Sequence, residues 1–188
     1  MYMSNDTVLL TYIEMGAKAA RSGNEELADK MFNAVLLETA RAKGNCVRLG
    51  AMLQNIAQLC IEQKRYQKAE TFLRRALATY SKSMGQTNSY SPVVLDGLAY
   101  LSFLQEKYGQ AAQYYERAVA MDEKLPKPDL ERMAERWKKL AWLYTSRNKY
   151  QAAYAAITKS KELLKKYHDQ KAKSMLSDKD FLVDNNWI

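Results

Sequence analysis

The chain has one histidine, two cysteines, three prolines and seven glycines among its 188 residues, and each shortage removes a kind of chemistry. One imidazole, His168, leaves no His/Cys spacing for zinc, and its place in a lysine-rich helix end favours an exposed or helix-terminal role over catalysis. Cys46 and Cys60 fall on one expected helix, where a rise of about 1.5 Å per residue sets them roughly 21 Å apart, too far to bridge. Cys60 takes a packing position as a small buried hydrophobe; Cys46 lies near the helix start with nothing beside it to argue for reactivity. No glycine-rich phosphate loop is present, and the neighbours Asp122-Glu123 and Glu25-Glu26 diverge on a helix, as solvated surface rather than a catalytic pair. The expectation is a protein that is not an enzyme and holds neither metal nor cofactor. Apolar runs stay short of the ~18 residues of a membrane span. Met1 to Asp6 has no basic stretch before an apolar segment, which reads as no secretory signal and a cytoplasmic setting.

What the chain does have is repetition. Gln63-Lys64-Arg65-Tyr66-Gln67-Lys68-Ala69 is echoed by Gln105-Glu106-Lys107-Tyr108-Gly109-Gln110-Ala111 and by Arg147-Asn148-Lys149-Tyr150-Gln151-Ala152-Ala153, at intervals of 42 residues. Ala57, Ala99 and Ala141 keep the interval, preceded by Ile56, Leu98 and Leu140, and so do Leu73, Tyr115 and Ile157. A small residue is needed wherever two helix backbones come close, so Ala57 and Ala69 mark the contacts of one helix pair. Large residues at 53, 56, 60, 72, 73 and 77 fill the space between helices and toward the next pair. One pair cannot bury its own apolar faces; stacked pairs can.

This spacing, large-x-x-large-small, then Tyr-x-x-Ala, then a bulky residue and a small one, resembles the tetratricopeptide repeat. The usual period is about 34 residues. The longer interval here, with Ser83-Met84-Gly85 leading to Ser91-Pro92-Val93-Val94 and with Gln54-Asn55-Ile56-Ala57, is similar to the kinesin light chain type of array. The resemblance implies an all-α fold: a right-handed α-solenoid of about four antiparallel helix pairs, eight main helices and a short C-terminal tail.

Taken in order, residues 1–170 read as a single solenoid domain, with repeats at about 6–43, 45–83, 91–124 and 129–167, and residues 171–188 as a capping or docking tail. Asn5 or Asp6 caps the first helix, whose inward stripe is Leu9, Tyr12, Met15 and Gly16. Gly16 and Ala28 take the slots of Ala57 and Ala69, 41 residues earlier. Asn24, followed by Glu25 and Glu26, starts the second helix, which ends near Lys43-Gly44. The second pair turns at Lys64-Arg65 and exits at Gly85. Ser91 as cap with Pro92 behind it restarts helix, Lys107-Tyr108-Gly109 is the third internal turn, and Pro126 and Pro128 break the chain. Asp129 caps the seventh helix, and Arg147-Asn148-Lys149 turns into an eighth reaching about Tyr167. Residues 171 to 178 have the length for two further helical turns. Phe181 to Ile188 is apolar enough to dock on the last repeat or on a neighbouring molecule.

An array of helix pairs offers a curved inner wall lined by the first helix of each pair. With Leu53, Ile56, Ala57 and Cys60 in the packing, the helical period sends Gln54, Asn55, Gln58 and Ile61 to that wall. Leu10, Ile13 and Ala17 join from pair one, Asp96, Tyr100 and Phe103 from pair three, and Lys138, Lys139 and Trp142 from pair four. Amide side chains hydrogen-bond an extended peptide whatever its sequence, and the resemblance implies that role for Asn55. Tyr100 and Trp142 are broad apolar anchors, and Lys138 and Lys139 select an acidic ligand residue. The plainer alternative is that both aromatics only pack between pairs. The leading expectation is therefore a protein-interaction module or adaptor that holds an acidic and apolar partner peptide in its groove.

Two other readings remain open. The net charge of +8 is uneven, with 6 basic and 7 acidic residues in 1–62 against 23 and 14 in 63–188, so RNA or another nucleic acid is a second ligand class. Lysines 159, 161, 165 and 166 wrap around a helix rather than forming one stripe, which speaks against it. The third reading is regulatory: the acidic, tryptophan-bearing tail Leu182 to Ile188 fills the groove of its own molecule or pairs two molecules as a homodimer.

Overall fold

The computed structural model describes the backbone of residues 5–41, 46–85 and 87–184, and the side chains of 7–38, 47–85 and 87–172. All eight elements among them are helices: α1 Asn5–Arg21, α2 Glu25–Arg41, α3 Cys46–Glu62, α4 Tyr66–Met84, α5 Ser91–Leu104, α6 Tyr108–Asp122, α7 Leu130–Thr145 and α8 Tyr150–Asp184. They pack as the pairs α1/α2, α3/α4, α5/α6 and α7/α8, with α4 against α5 and α6 against α7 joining pair to pair. The fold is an all-α helical-repeat solenoid.

Each internal turn is built the same way. Gly23, Lys64, Glu106 and Asn148 adopt φ of 78°, 59°, 59° and 58°, the left-handed conformation that ends a helix. The next residue's N–H then reaches back to a carbonyl five positions earlier: Asn24 to Ala19, Arg65 to Cys60, Lys107 to Ser102 and Lys149 to Tyr144, at 2.8–2.9 Å. Only the first of these positions has glycine. At Lys64 and Glu106 a side chain accepts a conformation that costs about 1–2 kcal/mol, so the hairpin contacts on either side must hold the turn.

Those contacts are the expected small residues. Ala28, Ala57, Ala69, Ala99 and Ala111 are fully buried. A Cβ on Gly16 would lie 2.5 Å from the Phe32 ring, and one on Gly50 2.2 Å from the Tyr80 ring, so both glycines admit an aromatic ring where a methyl group has no room. Around them the apolar side chains form two clusters, one spanning α1 to α6 and one spanning α5 to α8.

Two helix starts follow the sequence closely. The Asn24 carboxamide accepts from Leu27 N–H at 3.1 Å, and the Asp129 carboxylate accepts from Arg132 N–H at 2.9 Å. The start of α5 differs. Ser91 is its first residue rather than its cap, and its buried hydroxyl makes no hydrogen bond among the described residues. Asn88 does the capping instead: its Oδ1 accepts from the N–H of Tyr90 (3.1 Å) and of Ser91 (2.8 Å), while its Nδ2 donates to the Gly85 carbonyl at 2.7 Å. The third internal turn lies at 105–107, since Tyr108 and Gly109 already belong to α6.

Met15 does not join the inward stripe. It is 45% exposed, because at its register position Ile56, Leu98 and Leu140 are buried by the preceding pair, and no helix precedes α1 among the described residues. The eighth helix also runs on past Tyr167 to Asp184, in line with the absence of proline and glycine beyond Tyr150. The side chains of Asn5, Asp6 and Cys46, the expected end of α2 at Lys43-Gly44, and the side chains of Phe181 to Ile188 lie outside the described residues.

Candidate functional site

The first helices of successive pairs place equivalent residues in columns. One column, Gln58, Tyr100 and Trp142, is exposed throughout; in the column beside it Asn55 and Lys139 are exposed while Gly97 packs on Leu73 of the preceding pair. Where the last two pairs meet, Tyr100, Phe103, Tyr115, Lys139, Trp142 and Leu143 enclose a hollow of about 360 Å³. Four of the expected site residues thus share one surface.

Its walls are aromatic. Trp142 on α7 meets the rings of Phe103 (5.1 Å between centroids, 64°) and Tyr108 (5.5 Å, 78°) edge to face across the junction, and keeps half of its surface exposed. It therefore packs between pairs and lines the hollow at once. Tyr115 forms the floor, with the Lys139 ammonium 5.6 Å above its ring. Burial first, and then the Asp96 carboxylate, push the Tyr115 phenol above its ordinary range, so it stays neutral in the physiological range. Among the described residues no ion pair holds Lys139, so the one charge at this apolar surface is positive and unmatched.

The remaining expected residues stand elsewhere. The column Gln54, Asp96 and Lys138 turns away from the groove. Gln54 is half-buried and donates to the Tyr80 hydroxyl on α4 at 3.0 Å. Lys138 pairs with Glu135 at 3.1 Å and borders a separate hollow with Asp129, Glu131, Arg132 and Leu164. The reason is angular: adjacent helical residues differ by about 100°, so Lys138 and Lys139 cannot both face one wall. Asn55 and Gln58 are exposed on the wall, Gln58 donating to Glu62 at 3.1 Å, but neither lines the aromatic hollow. Ala17 and Ile61, expected on the wall, are buried in the packing; Leu10 is exposed and Ile13 half-buried.

Asp96 is occupied as well. Both its oxygens accept from Arg136, at 2.6 and 2.8 Å, and Arg136 also pairs with Asp122. Arg136 is 2% exposed at a position where the earlier repeats bury Met52 and Val94. This ion triad, which ties α5 and α6 to α7, was not singled out from the sequence. The available signal was a charged residue at an inward register position, which needs carboxylate partners. In the sequence Tyr108 and Tyr115 likewise stand out only as repeat landmarks.

Candidate chemistry is sparse. No group of three metal-ligating side chains occurs among the described residues, and none of their helices is long and apolar enough to cross a membrane. Burial raises the Cys60 thiol to about 11, which keeps it protonated and inert. His168 is exposed beside Tyr167.

A helical-repeat solenoid with an aromatic groove defines a class, and comparison with known proteins narrows it. Residues 49–89 and 94–125 each match the tetratricopeptide repeat family. No curated protein sequence matches the chain. Among solved structures, BtubC (BKLC) from P. vanneervenii is similar at a TM-score of 0.70 and 18% identity, over 89% of this chain and 67% of that one. A Podosopora anserina putative kinesin light chain with nearly identical TPR-like repeats gives 0.63 and 16%, over 88% and 78%. MamA gives 0.57 and 12%, over 86% and 81%. The chain thus carries tetratricopeptide repeats over residues 49–89 and 94–125, and its fold is similar to that of the TPR-like repeats of a putative kinesin light chain. Its repeats make it a protein-interaction module.

Proposed function

We propose that the chain is a non-catalytic adaptor that binds a partner peptide between α5 and α7, one large apolar residue entering the hollow and an acidic neighbour meeting Lys139. The observation that carries this is the half-exposed Trp142 in an aromatic wall beside an ammonium without an acidic partner. Burying an apolar side chain there supplies affinity, and the lone charge supplies selectivity. Gln58 and Asn55 continue the wall toward the second pair and suit the backbone of an extended ligand. The cytoplasm fits such a role.

Selection of short random peptides displayed on phage tests the reading. The wild type should enrich sequences with a bulky apolar residue next to Asp or Glu, Trp142→Ala should lose the enrichment, and Lys139→Glu should shift the neighbour from acidic to basic. Lys139 is exposed, whereas Trp142 also packs on Phe103 and Tyr108, so circular dichroism should first show that each variant is folded. Enrichment that survives Trp142→Ala, or a charge preference indifferent to Lys139→Glu, refutes the assignment.

A further inference from the structure

We propose that this chain associates head to tail with a second copy of itself, α1 of one molecule packing on the outer face of α8 of the other as α5 packs on α4 and α7 on α6 within a single chain. The pair-to-pair interface has a fixed register. Leu73 of α4 lies against Gly97 of α5, 3.0 Å from where a Cβ would stand, and Tyr115 of α6 lies beneath Lys139 of α7. Position 139 is 97 advanced by one repeat, so the contact recurs with the sequence.

Among the described residues both halves of that interface are left uncovered, on α8 and on α1. On α8 the residue equivalent to Leu73 and Tyr115 is Ile157, 42% exposed, and the equivalent of the buried Ala112 is Tyr154, 75% exposed. Tyr150, one turn before Tyr154, is exposed with them, so the three form one stripe at helical spacing. A helix face of a repeat array that meets water is ordinarily polar; this one presents two tyrosines and an isoleucine. On α1 the exposed Met15 and Thr11 stand where later pairs bury Ile56 and Met52.

Charge selects the second copy's head over its tail. The α8 stripe continues into exposed Lys161 and Lys165, so two tails face to face would oppose like charges. The head instead offers Glu14, exposed beside Met15 at the register position of Gly97 and Lys139, while the exposed Lys18, one turn further along α1, falls toward Tyr154 and away from Lys161, because the helices of this interface run antiparallel. Glu14 would fall opposite Ile157, one helical turn from Lys161. Such an interface joins different surfaces and leaves a free head and a free tail on every assembly, so it grows rather than closing at two.

Sedimentation velocity over a range from low micromolar to near-millimolar protein tests this, with circular dichroism to confirm that each variant folds. The wild type should gain mass with concentration beyond a dimer, less so at high salt. Met15→Asp and Ile157→Asp should each be monomeric alone, while their equimolar mixture, which retains one intact head and one intact tail, should form a complex of two chains and stop there. A wild type that stays monomeric overturns the proposal, and strong hydrogen-exchange protection of α8 in that monomer would assign the face to the chain's own residues. A Met15→Asp variant that dimerises by itself overturns it in favour of tail-to-tail pairing, and a mixture that stays monomeric overturns it outright.

Discussion

Replacing Arg136 with methionine should be among the most damaging single changes in the molecule, and more so at neutral than at acid pH. Arg136 is nine-tenths buried and holds Asp96 through two hydrogen bonds and Asp122 through an ion pair. Methionine is close in volume and is what the second pair carries there as Met52, so packing is conserved and the loss is electrostatic. Removing one member of a buried ion pair costs about 3–5 kcal/mol, because the partner charge is left in low dielectric. For a chain of this size that corresponds to a fall in Tm of roughly 10 °C. The pH dependence has a definite sign. Burial already raises the Asp122 carboxyl above its ordinary value even with Arg136 pulling it down, and the variant loses that pull. A carboxyl with a raised folded pKa binds its proton more tightly in the folded state. Its contribution is therefore full below the unfolded value of 3.8 and is lost as pH rises through the folded value. The defect of Arg136→Met should shrink as pH falls from 7 toward 4. The matching control replaces the whole triad by its register equivalents, Asp96→Gln from Gln54, Asp122→Leu from Leu164 and Arg136→Met from Met52. Exchanging a buried ionic group for well-packed apolar residues is often neutral or stabilising, so the triple variant should recover most of the loss. Urea denaturation followed by circular dichroism at both pH values measures this, and hydrogen exchange should show the single variant's loss concentrated in α7 and α8. A single-variant cost under about 1 kcal/mol, or a triple variant as unstable as the single, would refute the reasoning.

Asn88→Ala removes the cap of α5 with its three hydrogen bonds and should cost about 1–2 kcal/mol in the same denaturation assay, whereas Ser91→Ala, which removes a hydroxyl with no partner, should cost little. Glu106→Gly, at a left-handed turn position, should stabilise by up to about 1 kcal/mol, since it relieves a backbone conformation unfavourable to a side chain at some cost in unfolded-state entropy. A destabilised glycine variant would show that the turn is held by the Glu106 side chain instead.

The positions that could be read from sequence are those where one backbone event recurs. Close helix contact at Ala57, Ala69, Ala99 and Ala111, and the turns at Lys64, Glu106 and Asn148, are fixed by geometry common to every repeat, so equal spacing reveals them. The same logic placed Tyr100 and Trp142 together, because a column of equivalent residues shares one wall, and Phe103 and Lys139 stand one turn from them on the same helices. What resisted reading were individual side-chain choices within that frame. Gln54, Asp96 and Lys138 also form a column, but it lies about 100° around the helix from its neighbour, and composition alone gave no angle fine enough to separate Lys138 from Lys139. Asn88 was hidden because a serine before a proline is the stronger local signal, although a side chain three residues back had the geometry to reach the same N–H. Arg136 was hidden for the opposite reason: it breaks the apolar pattern that made the repeat visible. A charge can occupy that inward position only if carboxylates arrive from two other helices, Asp96 on α5 and Asp122 on α6, so the residue least like a repeat position is the one that locks the fourth pair to the third. The aromatic hollow lies across that junction, with Tyr100, Phe103 and Tyr115 on one side and Lys139, Trp142 and Leu143 on the other. Its shape is thus set by the same triad, and loosening Arg136 should weaken peptide capture at Trp142 without touching a residue that meets the ligand.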